Sequence, residues 1–253
     1  MTEHSIQQQV PYNVLLIGDN CRDIYQYGTI DRLSPEAPVP VFVPSYTEEK
    51  EGMVSNVRAN LVALGCKVNL LSGQTSSKTR LIDSRSKQQI VRIDNDVISD
   101  PILFETKIPN VYDAIVISDY AKGTVTYELI EEILKEANCP VFIDTKLTDL
   151  KRLEGAWVKI NELEYSKIKS ECSGLIVTRG SNGSEVVAQG IHRPACKVEV
   201  VDVTGAGDTF LSALAYKYIE TSDIETAIDF ANKAASITVQ HVGCYAPSLE
   251  EIQ

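Results

Sequence analysis

The sequence predicts an α/β fold built on a mostly parallel sheet. Short apolar runs, typical of strands buried on both faces, alternate with segments of helical pattern. A helix between successive strands is the usual connection between parallel strands. Three of the apolar runs also end in an aspartate, at the strand ends where open α/β sheets bind their ligands.

The predicted elements follow one another in a βαβ rhythm. Residues 13–19 form a short apolar strand, a helical pattern over 54–64 ends at Gly65, and residues 67–71 return as a strand. The further predicted strands are 114–119, 141–144 and 175–178, with a helix over 127–138 between the first two.

Asp19, Asp119 and Asp144 end three of these strands. In an open α/β sheet the carboxyl ends of parallel strands meet at one edge, so we expect these carboxylates to line one cleft. The alternative for any one of them is a turn former or the N-cap of the next helix.

Two segments interrupt the α/β pattern. Residues 28–47 contain four prolines among apolar residues, which favours edge strands with interrupted pairing. Residues 77–94 alternate as in a polar hairpin that turns near Ser86 and Lys87. We expect the two segments to pair into a small flap over the strand ends, which would exclude water from a transfer reaction. A surface decoration or a dimer contact is a compatible alternative.

Composition favours one compact domain. The 253 residues are 43% hydrophobic and 23% charged, enough to bury a large core. The net charge of −11 argues against nucleic acid or an anionic membrane as partner, because both attract positive surfaces. The six cysteines include no CxxC pair, and the first nine residues lack the apolar core of a signal peptide. We therefore expect a cytoplasmic protein with reduced thiols.

The most informative motif lies in residues 201–210. Gly205, Ala206 and Gly207 directly precede Asp208, at the start of a helical pattern. Amides at a helix N-terminus lack intrahelical partners, and glycines let an anion approach them. A carboxylate beside such a site is placed to take a proton from a hydroxyl group. The motif indicates phosphoryl transfer from a nucleotide to an alcohol; the alternative is a strand-to-helix turn with Asp208 as N-cap.

Residues 202–215, DVTGAGDTFLSALA, resemble the C-terminal signature of the ribokinase-like, or PfkB, carbohydrate kinases. Residues 18–28 and the proline-rich segment 34–41 closely resemble the opening of bacterial heptose 7-phosphate kinases. The likeness runs from about residue 14 to residue 243. It implies a three-layer α/β/α sandwich, one kinase domain over residues 1–253, and a β lid formed by segments 28–47 and 77–94.

The resemblance also implies catalytic and nucleotide-binding roles. Asp208 would be the base, and the amides from Gly205 through Ala206 and Gly207 to Asp208 would form the anion hole. Asn161 and Glu164 match the family's Asn-x-x-Glu, which places Mg2+ and the nucleotide phosphates through water; the alternative is a capping box. The implied cofactors are ATP and Mg2+, with a monovalent cation as a further candidate. The residues implied to border the nucleotide are Thr178, Gly180, Gly183, Thr204, Asn232 and Ala235, of which the two glycines are equally compatible with a hairpin turn.

On the sugar side, Asp23 corresponds to the family's sugar-binding aspartate. A phosphorylated sugar needs cationic groups, which makes Lys122 and Lys146 attractive, although lysines after strands are more often simply solvated. Arg80 and Arg92 on the expected lid are further candidates for the acceptor's phosphate. The full implied substrate set is Asp19, Asp23, Gly52, Asn56, Arg80, Lys122, Asp144 and Lys146.

The sequence departs from the family pattern at three places. Residues 51–56, EGMVSN, lack the two adjacent glycines that usually precede the asparagine, and Arg22 puts a charge near the pocket. Between residues 73 and 78 the chain lacks a stretch long enough for a helix and a strand, so we expect a trimmed sheet edge.

The resulting hypothesis is an ATP-dependent kinase acting on a sugar phosphate, with heptose 7-phosphate, phosphorylated at its anomeric hydroxyl, as the first candidate. The alternatives are another PfkB sugar or nucleoside kinase and a non-catalytic sugar- or nucleotide-binding member. A dehydrogenase is disfavoured, because the first strand is not followed by GxGxxG. The resemblance further implies a homodimer joined through the lid and a separate nucleotidyltransferase.

Overall fold

The computed structural model describes residues 11–104 and 108–253, so the N-terminal segment considered above lies outside the described residues. Within those ranges, no helix is both long and apolar enough to cross a bilayer. The strands are β1 (Asn13–Leu33), β2 (Pro40–Met53), β3 (Lys67–Asp83), β4 (Gln89–Asn95), β5 (Ala114–Ser118), β6 (Val141–Asp144), β7 (Trp157–Asn161), β8 (Leu175–Thr178), β9 (Ser184–Val186) and β10 (Ile191–Arg193). The helices are α1 (Val54–Ala63), α2 (Tyr127–Glu136), α3 (Glu162–Tyr165), α4 (Ala206–Thr221), α5 (Ile224–Thr238) and α6 (Leu249–Ile252).

A mixed, mostly parallel sheet forms the centre of the molecule. Strands β8, β7, β6, β5, β1 and β3 lie side by side in that order and run parallel. Strands β9 and β10 continue the sheet in antiparallel fashion beyond β8. The predicted α/β class is therefore confirmed. Strand β7 was not predicted, because Lys159 interrupts its short apolar run.

Helices cover both faces of this sheet. Ala114 and Val116 of β5 pack in a core that includes residues of α1, α4 and α5, whereas Ile115 and Ile117 pack in a second core with residues of α2. Successive residues of a strand point to opposite faces, so a strand covered on both sides must be apolar throughout. The three layers expected from the resemblance follow from this pattern.

The lid is a four-stranded extension of the same sheet. Beyond Asn20, β1 pairs with β2 on one side and with the second half of β3 on the other, and β3 turns back into β4. The β1–β2 register shifts close to the pairings with Pro44 and Pro40, where proline cannot donate to the ladder. Lid pairing thus begins near residue 20, earlier than segment 28–47 suggested.

Strand β3 passes directly from the central sheet into the lid. No helix interrupts it between Lys67 and Asp83, which agrees with the short sequence in this region. Its first half has no strand partner on the side away from β1 within the described residues. A cavity of about 580 Å³ lies beside the first half of β3, and its walls include Leu15, Val68 and Tyr112.

Candidate active site

Helix α4 begins at the predicted position. Gly205 is its N-cap, with φ of 80°, a left-handed conformation that favours glycine. A Cβ added at Gly205 would lie 2.9 Å from Asn56 Nδ2, and one at Gly207 would lie 2.7 Å from Lys159 Nζ. A side chain at either position would therefore have to displace Asn56 or Lys159, which come from other elements.

The backbone amides at this helix end are mostly free of protein acceptors. Within the described chain, the N–H groups of Gly205, Gly207 and Asp208 have no acceptor, whereas that of Ala206 donates to Val203 O at 3.3 Å. Three of the four amides expected to form the anion hole are thus available, and Ala206 is engaged in the turn. Free amides at a helix N-terminus attract anions because the helix dipole adds positive charge.

Asp208 lies in the first turn of α4, is 6% exposed, and is held at both carboxylate oxygens. Asn56 Nδ2 of α1 donates to Oδ2 at 2.6 Å, and the Tyr120 hydroxyl, just beyond β5, donates to Oδ1 at 2.9 Å. Asn56 was expected near the substrate. Tyr120 was missed by sequence analysis, although it directly follows the predicted strand 114–119.

Burial raises the pKa of Asp208 to about 6, and the nearby Asp144 adds to the increase. The hydrogen bonds from Asn56 and Tyr120 and the charge of Lys159 oppose it, because they favour the carboxylate. Burial also raises the pKa of Tyr120 well above its usual value, so this phenol stays protonated and donates. The carboxylate is therefore poised to accept a proton near neutral pH.

A buried ion pair lies behind the N-terminus of α4. Lys159 of β7 is 3% exposed, and its Nζ donates to Asp144 Oδ2 of the neighbouring strand β6 at 2.7 Å. Asp144 Oδ1 is buried and has no hydrogen-bond partner among the described residues. Lys159 was missed by sequence analysis; a single lysine in an apolar strand was the available signal.

Asp19 and Asp119 are buried and bond to loop groups, so they do not line an open cleft together with Asp144, as the three strand-end carboxylates were expected to do. Asp19 is fully buried, and its oxygens accept the amides of Tyr120, Lys122 and Thr124. Asp119 accepts from Ala121 N at 2.7 Å and from Thr145 Oγ1 at 2.6 Å. Their role is to order the loops after β5 and β6, and thereby to place Tyr120.

Asn161 and Glu164 form a capping box at the start of α3, the alternative considered for this motif. Asn161 Oδ1 accepts from Glu164 N at 2.9 Å, and Glu164 Oε2 accepts from Asn161 N at 2.8 Å. Glu164 Oε1 contacts the Lys146 ammonium, which also lies 5.4 Å from the centre of the Tyr120 ring. Within the described chain no group of three acidic, histidine or cysteine side chains could hold a metal ion.

A cavity of about 370 Å³ lies next to the N-terminus of α4. Its walls include Ala206, Gly207 and a set of apolar residues from the chain before α4, among them Val198, Val200 and Val203. These apolar residues were not predicted. Of the residues expected to border a nucleotide, the cavity contains Thr178, Gly180, Gly183, Asn232 and Ala235.

Three of the expected nucleotide residues have structural roles. Thr204 does not line the cavity, because its hydroxyl and amide both donate to Asp202 Oδ1, at 2.7 and 2.9 Å. A Cβ at Gly183 would lie 2.0 Å from Arg193 O, and its φ is 90°. Gly180 and Gly183 are thus hairpin-turn residues between β8 and β9 that also line the cavity.

Asp23 lies on β1 within the lid, between β2 and β3. Its Oδ1 accepts from Arg80 Nη1, and its Oδ2 lies 2.5 Å from the position of a Cβ at Gly52, so this position excludes a side chain. Met53 adopts φ of 52°, a conformation that favours glycine, so the backbone turns although the second glycine is missing.

Two charges near the lid lie differently from the expectation. Arg22 faces away from Asp23 because it is the next residue on β1, and it pairs with Glu49 while 59% of its side chain is exposed. It therefore does not charge the pocket. Lys122 Nζ lies 2.6 Å from Asp96 Oδ2, so this lysine already has a carboxylate partner.

Comparison with known proteins agrees with this arrangement. Residues 72–252 match the model of the pfkB family of carbohydrate kinases. The bifunctional protein HldE of a Nitratiruptor species is 34% identical over 298 aligned residues, covering 95% of this chain and 64% of the relative. The alignment is longer than the 253 residues of this chain, so the relative has residues that this chain lacks.

Solved structures show the same fold. Ribokinase from Arabidopsis thaliana, complexed with ribose and ATP, superposes with a TM-score of 0.70 at 18% identity, covering 96% of this chain and 98% of that one. Ribokinase from Cryptococcus neoformans, in complex with ADP, gives 0.69 at 13% identity, covering 95% and 98%.

Proposed function

The chain belongs to the pfkB family of carbohydrate kinases, and we propose that it transfers the γ-phosphoryl group of ATP to a hydroxyl of a sugar phosphate. The first candidate acceptor is heptose 7-phosphate, phosphorylated at its anomeric hydroxyl. The resemblance of residues 18–41 to heptose 7-phosphate kinases supports this choice, as does the similarity to HldE.

One observation carries the proposal: Asp208, with a pKa of about 6, lies beside the free amides at the N-terminus of α4. The cavity on one side of these amides suits a nucleotide, because its apolar walls can hold a base while its inner end reaches Gly207. The lid with Asp23 covers the other side, where a sugar can place a hydroxyl against Asp208.

In the proposed reaction, Asp208 takes the proton of the acceptor hydroxyl as that oxygen forms a bond to the γ-phosphorus. The bond between this phosphorus and the bridging oxygen of ADP breaks, and ADP leaves with the electron pair. The amides of Gly205, Gly207 and Asp208 stabilise the charge on the transferring group. The Lys159 ammonium lies directly behind Gly207, and Asp144 balances most of its charge. The protein thus contributes mainly positioning and charge neutralisation.

Asn161 and Glu164 would hold a Mg2+ ion only through water, because Asn161 Oδ1 and both Glu164 carboxylate oxygens already bond to protein groups. Glu164 is the carboxylate of this motif, and Mg2+ in kinase sites commonly keeps several waters. When bound, the ion neutralises phosphate charge. Asp208 does not depend on it for position, since Asn56 and Tyr120 hold its oxygens.

We also propose that the protein forms a homodimer through the lid. Val91 and Ile93 of β4 are 45% and 53% exposed. They are cross-strand partners of Leu81 and Thr79 and lie on the lid face opposite Asp23. An exposed apolar surface on this face suits association with a second copy.

The test is release of ADP from ATP and Mg2+ with a panel that includes heptose 7-phosphate, hexose phosphates, free sugars and nucleosides. We expect the wild type to turn over with a sugar phosphate, and Asp208→Asn to lose about 10² to 10⁴-fold in kcat while it still binds ATP. Asp100→Asn, an exposed aspartate without a side-chain partner among the described residues, is the matched control.

The outcomes separate the alternatives. Turnover only with free sugars or nucleosides would assign a different kinase activity to the protein. ATP binding without turnover of any acceptor would favour the alternative of a non-catalytic, ligand-binding member of the family. Equal turnover of wild type and Asp208→Asn would refute Asp208 as the base.

A further inference from the structure

The acceptor in the proposed function already carries a phosphate, and that phosphate needs its own binding site. Resting on the proposed function, we propose that Lys50 and Arg80 of the lid, on the two strands that flank Tyr25, bind the acceptor's own phosphate and select phosphorylated over unphosphorylated sugars.

The register of the lid strands places these groups on one face. Lys50 of β2 is the cross-strand partner of Asp23 on β1, and Arg80 of β3 is the partner of Tyr25. Asp23 and Tyr25 are two residues apart, so they and their partners share a face. Lys50 Nζ lies 5.5 Å and Arg80 Cζ 5.1 Å from the centre of the Tyr25 ring. Both cations therefore lie near the same aromatic ring, within the range of a cation–π interaction.

Two lysines on this face, Lys50 and Lys78, are cross-strand partners of Asp23 and have no ion pair among the described residues. Arg80 is paired with Asp23, and this pair adds little net charge. Lys50 has no carboxylate within ion-pairing distance in the part of the chain that the structure describes, so it contributes a full positive charge. An arginine fork next to a lysine is a combination that binds phosphate well, since the fork orients two oxygens and the lysine adds charge.

The acidic residues of β2 do not cancel this charge. Glu49 and Glu51 lie on the opposite face of the strand, where Glu49 pairs with Arg22. Glu48 shares the face of Lys50 but lies further from the central sheet, and it forms no ion pair with Lys50.

This subsite lies next to the reaction centre. Lys50 Nζ is 4.0 Å from the position of a Cβ at Gly243, and the next residue, Cys244, has its Sγ 3.3 Å from the position of a Cβ at Gly205. Lys50 therefore approaches Gly243, and the adjacent Cys244 approaches Gly205, the N-cap of α4. A sugar whose hydroxyl lies at Asp208 can place a phosphate at its far end against Lys50.

The other cations that were considered for this task are already paired. Lys122 pairs with Asp96, and Lys146 with Glu164. Arg92 donates to both carboxylate oxygens of Asp94, at 2.8 and 2.9 Å. Recruiting any of these three for a phosphate would first require breaking its own ion pair. Arg80 is also paired, with Asp23, but it uses only Nη1 for this bond, and its Nε and Nη2 have no hydrogen-bond partner among the described residues.

The test compares heptose 7-phosphate with free heptose in wild type, Lys50→Gln and Lys87→Gln. Lys87 is the matched control, because its Nζ lies 5.7 Å from the Tyr27 ring at the hairpin end of the lid. We expect Lys50→Gln to lower kcat/KM for heptose 7-phosphate about 10- to 100-fold through KM, and to leave kcat/KM for free heptose unchanged. Lys87→Gln should change neither.

Calorimetric measurement of heptose 7-phosphate binding distinguishes failure of the proposed subsite from failure of the proposed kinase activity. Absence of turnover by the wild type with every sugar phosphate refutes the kinase assignment, whereas weaker binding by Lys50→Gln alone still supports the subsite. An unchanged KM and affinity in Lys50→Gln, or an equal loss for both sugars, overturns the subsite.

Discussion

Replacing Tyr120 by phenylalanine removes one hydrogen bond from the proposed catalytic base and leaves the ring in place. The Tyr120 hydroxyl donates to Asp208 Oδ1 at 2.9 Å, and this bond favours the carboxylate form. Asn56 continues to donate to the other oxygen at 2.6 Å, so the side chain of Asp208 stays in position. The change therefore acts on the protonation of Asp208 more than on its geometry.

The size of the effect follows from the negative charge of Asp208, which accepts the hydrogen bond from Tyr120. A hydrogen bond to a charged group contributes about 1.5–3 kcal/mol, and one pKa unit corresponds to about 1.4 kcal/mol. The pKa of Asp208, about 6 in the wild type, should rise by roughly one to two units in Tyr120→Phe. At pH 7 the deprotonated fraction then falls roughly two- to tenfold, and the loss disappears above about pH 9.

The assay is the pH dependence of kcat/KM for ADP release. We expect the acid limb of the profile to move to higher pH in Tyr120→Phe while the alkaline plateau changes little. Tyr165→Phe is the matched control, because the Tyr165 hydroxyl donates to Glu171 at 2.8 Å on the surface. An acid limb at the same pH in Tyr120→Phe and wild type would show that this hydrogen bond does not set the protonation of Asp208.

Two further predictions concern stability and assembly. Because the folded-state pKa of Asp208, about 6, lies above the ordinary value of 3.8, the buried carboxylate destabilises the fold as pH rises through this range. Asp208→Asn should be more stable than wild type by about 3 kcal/mol at pH 8 and equally stable below about pH 4, as measured by urea unfolding; a constant difference at all pH values would contradict this. Ile93→Asp should convert the proposed dimer to a monomer in light scattering, while Leu103→Asp, an equally drastic change at an exposed site outside the lid, should not; a dimer that survives Ile93→Asp refutes the lid interface.

The parts of the site that sequence analysis predicted well are local in the chain. The start of α4, the glycines before Asp208 and the first residues of the predicted strands depend on residues within a few positions of each other, so their pattern is visible in one dimension. The ends of β1 and β3 were predicted too early, because both strands continue into the lid. The expected nucleotide residues also came together, because the turn between β8 and β9 and the helix α5 flank the same cavity. Thr204 was the exception, since its side chain bonds to the nearby Asp202.

The parts that were missed or misassigned depend on partners far apart in sequence. Tyr120 and Asn56 meet Asp208 across 88 and 152 residues. Whether a strand-end aspartate faces the cleft or accepts loop amides, as Asp19 does, depends on how the next strand's loop folds over it.

The sequence by itself determined the α/β class, the family and the position of the anion-binding turn, because periodic burial and glycine placement are short-range properties of the chain. Only the tertiary structure decided which charges are available for chemistry. Lys122 and Lys146 carry their own carboxylate partners, whereas Lys50 does not, and Lys159 lies buried behind Gly207. The physical reason is that the effect of a charge depends on its neighbours in space and on its distance from water, and chain order specifies neither.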